Sequence, residues 1–268
     1  MFLFLWLIND VNLIAQDRWY TNTSLQMVRG QSQDGSKNNS FYFYNGLRYQ
    51  AQMFSLSLNL PLVFRGSSSS TQIENPIVQQ LLKSEANTND ITEPSAVNDG
   101  MMSASDFNIG IGDLYLNGNF TLLKESDYLP ALYIGGYVKI PTATSSFNIG
   151  TGEFDYQGSL GLRKYFNRFS VYAKVGYLVL GRVEDAEISD PITVNVGLGY
   201  RFDGGRNSIL LAYDSYSTII QGVDSPEQIS FGYSYALSKS MFITTIVSKG
   251  LNDSTSDYTV SGGISFEI

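Results

Sequence analysis

The sequence predicts an all-β protein, a transmembrane antiparallel β-barrel of about 12 strands with short periplasmic turns and longer extracellular loops. Three observations predict this fold. Charged residues make up only 16% of the 268 residues, against about 25% in typical soluble domains. Apolar side chains occupy alternate positions of successive segments, and no apolar run reaches the roughly 20 residues of a membrane-spanning helix. Short and long connections alternate along the chain.

The composition argues against several classes of function. The chain has no cysteine, which excludes a disulfide scaffold and thiolate metal sites. It has no histidine, so the commonest general base and the usual zinc ligand are missing. We therefore expect no enzyme, no metal and no cofactor. The net charge of −8 makes nucleic acid an unfavourable partner.

The N-terminal segment reads MFLFLWLINDVNLIAQ. Its first eight residues are strongly apolar, and Ala15-Gln16 suits the end of an export signal, although a basic n-region is missing and Asn9-Asp10 interrupts the apolar run. We expect residues 1–16 to be a truncated signal peptide and residues 17–268 to be a single outer-membrane barrel domain. A buried first strand is the alternative for the apolar segment.

Twelve segments show the alternation of a half-buried strand. Most have the 9–11 or more residues that a tilted strand needs to cross a bilayer. The predicted strands are 18–29, 40–49, 53–64, 109–123, 129–140, 153–165, 169–181, 191–202, 207–218, 227–236, 240–249 and 257–268.

The connections between these strands sort by parity. Short turns such as 166–168 and 203–206 alternate with longer polar loops such as 182–190. Bacterial outer-membrane barrels have this pattern, whereas a soluble sandwich has no reason to sort its loops. The longest connection, 65–108, is either a surface ornament or an extracellular loop that folds over the mouth of the barrel and constricts it.

The segment FSVYAKVGYLV, from Phe169, shows how the faces are assigned. Val171, Ala173 and Val175 share one parity, and Lys174 lies on the other. A lysine facing lipid near mid-strand would cost about 2–4 kcal/mol, so we expect Lys174 to point into the lumen. Aromatic residues near strand ends suit interfacial girdles; they are Tyr20, Tyr49, Tyr128, Tyr165, Phe169, Tyr200, Phe202 and Phe242.

The last strand, YTVSGGISFEI, is similar to the C-terminal recognition signal of outer-membrane barrels, although it ends in Ile268 and has its aromatic residue at Phe266. We expect the barrel-assembly machinery to bind this strand. We also expect it to pair with the first strand, which leaves no open edge facing the lipid bilayer of the outer membrane.

If the apolar parity faces lipid, the other parity carries charges into the lumen. A hairpin centred near residue 126 sets Asp113 directly opposite Lys139, and Asp155 then falls beside Lys139 on the next strand. This predicts an inward ladder of Asp113, Lys139 and Asp155 on the extracellular side. These ions either neutralise one another and brace the wall, or select a solute.

Other inward positions carry further candidates for the lumen. The predicted inward charges are Arg48, Arg163, Lys174, Arg201, Asp214 and Glu267. Aromatic side chains at inward positions could stack on an aromatic solute or could simply fill a narrow barrel. The stacking candidates are Tyr115, Tyr137 and Tyr172, with Tyr42, Tyr44 and Tyr133 on the same parity.

Four motifs between residues 107 and 181 resemble one known family. They are FNIGIGD, LPALYIGGYVKIPTA, GTGEFD and the glycine–tyrosine pair Gly176-Tyr177. The chain resembles, over this stretch, the outer-membrane transporters named after the MetA pathway of phenol degradation. The resemblance implies a β-barrel and a transport role.

We therefore expect an outer-membrane barrel that passes small, aromatic or hydrophobic solutes by passive diffusion. The first alternative is a barrel without transport activity that anchors or helps to assemble a surface or secretion complex. The second is a secreted β-rich binding protein.

Overall fold

The computed structural model describes residues 17–31, 37–66, 107–143, 150–182 and 187–268. The expected signal peptide and most of loop 65–108 lie outside the described residues. The strands are β1 (Arg18–Gln31), β2 (Lys37–Gln50), β3 (Phe54–Gly66), β4 (Phe107–Ile111), β5 (Leu114–Leu123), β6 (Ala131–Ile140), β7 (Asp155–Phe166), β8 (Phe169–Val179), β9 (Ile192–Phe202), β10 (Asn207–Tyr216), β11 (Glu227–Ala236), β12 (Met241–Gly250) and β13 (Tyr258–Glu267).

These strands form one closed antiparallel barrel. Strands that follow one another in the chain pair with each other, except that β4 and β5 both pair with β3, and β1 pairs with both β2 and β13. The closing pair runs from Tyr20 opposite Glu267 to Arg29 opposite Tyr258. A salt bridge of 2.9 Å between Arg18 and Glu267 fastens its periplasmic end. The barrel has no open edge, and the predicted fold class is confirmed.

β4 and β5 are two parts of one transmembrane strand, because both pair with β3. The barrel therefore has 12 transmembrane strands. The sequence predicted an unbroken strand here, and that detail is wrong. Between the two paired regions β3 supplies Leu60 and Pro61 where the other strand supplies residues 112–114, so the strand carries one extra residue, a β-bulge.

The bulge forms beside a proline, which has no N–H to contribute to the ladder. The Gly112 N–H donates to the Pro61 carbonyl at 2.8 Å. A Cβ on Gly112 would come within 2.7 Å of the Pro61 ring, so glycine is needed there. Both Gly112 and Asp113 are buried, which shows that the bulge turns two successive residues inward. In this way Asp113 reaches the lumen.

The two faces of the barrel wall differ as the alternation predicts. In β8, Val171, Val175 and Val179 are exposed on the outer face, which the bilayer covers. On the same strand Tyr172 is buried and Lys174 is half-buried on the inner face. No helix in the described part of the chain is long and apolar enough to cross a membrane.

Aromatic side chains gather on the outer face near the periplasmic turns. Tyr49 lies 4.9 Å from Trp19 and 5.6 Å from Phe54, measured between ring centroids. Phe169 and Tyr200 form a similar pair at 4.7 Å. The girdle prediction is wrong for Tyr20, Tyr165 and Phe242, because each lies on the inward parity of its strand.

The periplasmic turns are tight. β7 and β8 are joined by Asn167 and Arg168 alone, with Asn167 at φ 59°. Asparagine tolerates this left-handed conformation better than most residues. The turn between β5 and β6 is longer than the sequence predicted, since it covers residues 124–130.

Candidate functional site: the barrel lumen

Three charged side chains meet inside the barrel on its extracellular side. The Lys139 Nζ atom lies 2.7 Å from Asp155 Oδ2 and 3.9 Å from Asp113 Oδ2. Lys139 also donates to Thr151 Oγ1 at 2.9 Å. The three residues are 1%, 2% and 6% exposed for Lys139, Asp155 and Asp113. The desolvation cost of burying these ions is offset because they pair with one another.

The strands bring these charges together in two ways. Lys139 and Asp155 are direct partners in the β6–β7 ladder. On the other side, Lys139 faces Tyr115 and not Asp113, so the predicted direct opposition of Asp113 and Lys139 is wrong. The longer turn at 124–130 shifts the register, and the bulge then turns Asp113 back towards the ammonium group.

Both carboxylates also hold extracellular backbone. The Ala143 N–H donates to Asp113 Oδ1 at 3.1 Å, and the Gly181 N–H donates to Asp155 Oδ1 at 3.0 Å. The cluster therefore fixes the chain that leaves β6 and the chain that leaves β8. These contacts agree with a bracing role for the cluster, which is one of the two roles that the sequence leaves open.

A glycine lets the Asp113 carboxylate come close to the loop between β6 and β7. A Cβ on Gly150 would come within 2.7 Å of Asp113 Oδ2. The neighbouring Thr151 is the fourth member of the cluster, and Gly152 has φ 75°. Sequence reasoning did not assign roles to these residues, although the motif GTG marks them.

A second row of polar side chains crosses the inner faces of β8, β9 and β10 near the middle of these strands. Lys174, Asn195 and Asp214 are cross-strand partners on β8, β9 and β10. The Asn195 amide donates to Asp214. Within the described residues, no carboxylate lies within ion-pairing distance of the Lys174 ammonium group, and Asp214 is the acidic residue of this row.

Bulky side chains cover the inner wall from β6 to β10, which we call the bulky wall. The Tyr133 ring occupies the space over Gly161, and the Tyr172 ring occupies the space over Gly197. Tyr133 is 1% exposed and Tyr172 is 4% exposed. They pack in one cluster with Leu210 and Ala212 of β10, and Ile246 of β12 packs against this cluster.

A second apolar cluster lies above the bulky wall, at the extracellular mouth. Ile188 and Ile220 form an isolated antiparallel bridge between two extracellular loops. Ile219 is fully buried and packs with Leu178 and Leu180 at the end of β8. Tyr137 and Tyr216, from the inner wall, pack against this cluster.

Mostly small side chains line the middle of the inner wall from β11 through β13 to β1, which we call the small-residue wall. Two rows of cross-strand partners contain only small residues at these positions. One row runs through Ser234, Thr244 and Gly263, and the other includes Ser230 and Ser248. A cavity lies against this wall. The inward residues that line the cavity are Asn22, Ser24, Thr244, Ile246, Ser261, Gly263 and Ser265.

Arginines lie on the inner face near the periplasmic end. The guanidinium groups of Arg163 and Arg201 lie 5.3 Å and 4.6 Å from the centre of the Tyr165 ring. Arg48 lies 5.9 Å from the Tyr20 ring and donates to Gln50. These contacts account for the inward position of two aromatic residues that the sequence placed in the girdle.

The stacking candidates have different environments. Tyr172 is packed within the bulky wall and has no free face for a solute. Tyr115 and Tyr137 form a tilted pair with ring centroids 6.3 Å apart, and both are half-buried. Sequence reasoning missed Tyr216, the last residue of β10, and Ile219, because nothing in the alternation shows that the loop residue Ile219 folds back into the mouth and packs near Tyr216.

Comparison with known proteins shows the family to which this chain belongs. A family model described by the MetA pathway of phenol degradation matches residues 75–268. The chain belongs to this family. The match covers β4 to β13, including the charge cluster and the bulky wall, and it confirms the resemblance seen in the sequence. No curated protein matches the chain significantly.

One solved structure shows the same fold. An outer-membrane channel from Pseudomonas putida F1 is 12% identical, with a TM-score of 0.66 over 97% of this chain and 98% of that one. The toluene transporter TodX of Pseudomonas putida is 11% identical, with a TM-score of 0.45 over 96% and 90%. Outer-membrane phospholipase A of Escherichia coli has the same identity and TM-score over 96% and 93%. The chain is a bacterial outer-membrane barrel, embedded in the lipid bilayer.

Proposed function

We propose that the protein is a passive channel for small uncharged solutes, aromatic ones among them, and that the solutes move along the small-residue wall. The observation that carries this proposal is the asymmetry of the lumen. Tyrosines and isoleucines fill the side next to β6–β10, whereas a cavity lies against β12, β13 and β1.

The chemistry of the cavity favours solutes without charge. Its inward lining consists of hydroxyls, one amide, glycine and Ile246, and it has no charged side chain. An ion that leaves water for such a narrow space loses hydration without gaining a partner. Hydroxyls and an aliphatic surface together suit a small molecule with an apolar ring and a polar group. The family's description, which names phenol degradation, supports aromatic solutes.

The test measures uptake into proteoliposomes of two solutes that differ in one group, phenyl glucoside and phenyl glucuronide. Both cross protein-free bilayers poorly, and only the glucuronide carries a carboxylate. We expect the glucoside to enter about tenfold faster than the glucuronide, because the lining offers no counter-charge. Protein-free liposomes and liposomes with heat-unfolded protein are the controls.

Each result bears on a different part of the proposal. Equal uptake of both solutes keeps the channel and rejects the selectivity. No uptake of either solute rejects the channel and favours the alternative of a barrel that anchors or assembles a surface complex.

We further propose that the protein is not an enzyme, which its lack of histidine and cysteine supports. We also propose that β13 is the strand that the barrel-assembly machinery binds. Its outward residues Val260, Ile264 and Phe266 alternate with small inward ones, as in the recognition strands of other barrels.

A further inference from the structure

One part of the lipid-facing surface differs from the rest at the middle of the membrane. On β2, Asn45 lies four residues from Tyr49 and four from Phe41, two outward aromatics near opposite ends of the strand. On β13, Gly262 has the same relation to Tyr258 and Phe266. Both positions therefore lie near the bilayer midplane, where no water reaches the wall.

Polar outward residues lie near the midplane on three strands around the closing seam, and a glycine lies between them on the fourth. They are Thr23 on β1, Asn45 on β2 and Thr245 on β12, with Gly262 on β13, and Leu25 is the aliphatic neighbour of Thr23 on β1. The corresponding positions from β3 to β11 hold aliphatic or aromatic residues, alanine and glycine. We call the polar region the seam surface. Its position on one side only suggests a contact that the other sides lack.

Asn45 is the residue of the seam surface whose hydrogen-bonding groups lack partners most. It is exposed, and its Oδ1 atom accepts a hydrogen bond of 3.1 Å from Thr23. Thr21 is satisfied by the Gly46 carbonyl at 3.3 Å. In the part of the chain that the structure describes, no acceptor bonds the Asn45 amide N–H groups. Hydrocarbon offers none, so an acceptor must come from another protein surface at the same depth.

The shape of the seam surface also fits a copy of itself. Leu25, which is 54% exposed, protrudes beside Gly262, its partner in the β1–β13 ladder. A Cβ on Gly262 would meet nothing within 4 Å, so the wall is recessed there. When two chains are related by a two-fold axis, the protrusion of each chain can enter the recess of the other. The Asn45 side chain has both a donor and an acceptor, so it can form hydrogen bonds with Asn45 of a second copy.

We propose that the seam surface is the contact of a homodimer, in which Asn45 of each chain bonds Asn45 of the other and each Leu25 enters the recess at Gly262. The proposal does not depend on what the lumen carries.

The first test is sedimentation of the folded protein in density-matched detergent. Asn45→Leu should raise the dissociation constant of the dimer by about tenfold, because it removes the interchain hydrogen bonds in an apolar medium. Val196→Leu is the matched control, since Val196 is an outward residue of β9 on a distant wall. Heat-modifiable migration on gels shows that each variant is folded.

The second test uses the absence of cysteine from the chain. Asn45→Cys should form a disulfide-linked dimer in outer membranes treated with oxidant, and Val196→Cys should not. A monomeric wild-type protein in the sedimentation test, or the absence of a cross-linked dimer from Asn45→Cys, would overturn the proposal. So would undiminished dimerisation of Asn45→Leu, or a cross-link from the Asn45→Cys variant to a different protein alone.

Discussion

The bulky wall and the small-residue wall are built from antiparallel strands with the same alternation, yet their inward positions hold side chains of opposite size. On the bulky wall, Gly161 and Gly197 lie beneath tyrosine rings, so glycine there makes room for a large neighbour. On the small-residue wall, a Cβ on Gly263 would come within 2.7 Å of the Ser24 Cβ. There glycine sits beside another small residue, and the space remains open.

This difference separates the side of the narrow barrel that contributes packing from the side along which we propose that solutes pass. A barrel of 12 strands lies between those that side chains fill and those that hold an open channel. Tyrosines, isoleucines and ion pairs give buried contacts along β6–β10, and Tyr42 and Tyr44 give further ones on β2, whereas a cavity lies against β12, β13 and β1. The first two predictions concern the bulky wall, and the later ones concern the small-residue wall.

The largest expected effect comes from the charge cluster. Lys139→Met should lower the free energy of unfolding by about 3–5 kcal/mol, because two buried carboxylates would lose their counter-ion. Urea unfolding in detergent, followed by heat-modifiable migration, measures this change. Lys164→Met is the matched control, since Lys164 pairs with Glu125 at 3.7 Å at the rim and should cost at most about 1 kcal/mol. Equal losses for both variants would show that the cluster does not brace the wall.

The packing of Tyr172 over Gly197 predicts a smaller effect. Gly197→Val should lower the free energy of unfolding by about 1–3 kcal/mol, because the new side chain occupies the space of the ring. Gly158→Val on the lipid face, where a Cβ meets nothing within 4 Å, should be nearly neutral. Combining Gly197→Val with Tyr172→Ala should remove the penalty of the valine. A full penalty in the double variant would contradict the packing described here.

On the small-residue wall, a bulky replacement should affect flux more than stability. Ser261→Phe should lower phenyl glucoside uptake by about tenfold, because it fills the cavity. Ser261→Ala should leave uptake unchanged, since it keeps the cavity open. Loss of uptake in both variants would point to a hydrogen bond from Ser261 and away from the size of the passage.

The sequence predicts the barrel well because the alternation and the parity of the loops are local properties. It also predicts that Lys174 turns inward, since a single parity fixes the face of a whole strand. The position of the seam surface is also recognisable from the sequence, because Asn45 interrupts an outward series of apolar residues. Its meaning appears only when the pairing places it beside Thr23.

Other features depend on register and on folded loops, which a single strand does not encode. The bulge at Gly112-Asp113 shifts the face of half a strand, and the turn at 124–130 changes which residue Lys139 faces. The mouth cluster around Ile219 joins two loops distant in sequence. The tyrosines were predicted as one group, and only their packing separates the buried Tyr172 from the half-buried pair of Tyr115 and Tyr137.

The most direct test of the proposed passage uses two single-cysteine variants of a chain that has no cysteine of its own. Ser24→Cys lies on the small-residue wall and Asn195→Cys on the bulky wall, and both positions are inward and half-buried. Each variant is treated with a bulky thiol reagent, and phenyl glucoside uptake is measured before and after. The account predicts a fall of about tenfold for Ser24→Cys and a change below about twofold for Asn195→Cys. An equal fall in both variants, or a larger fall for Asn195→Cys, would contradict it.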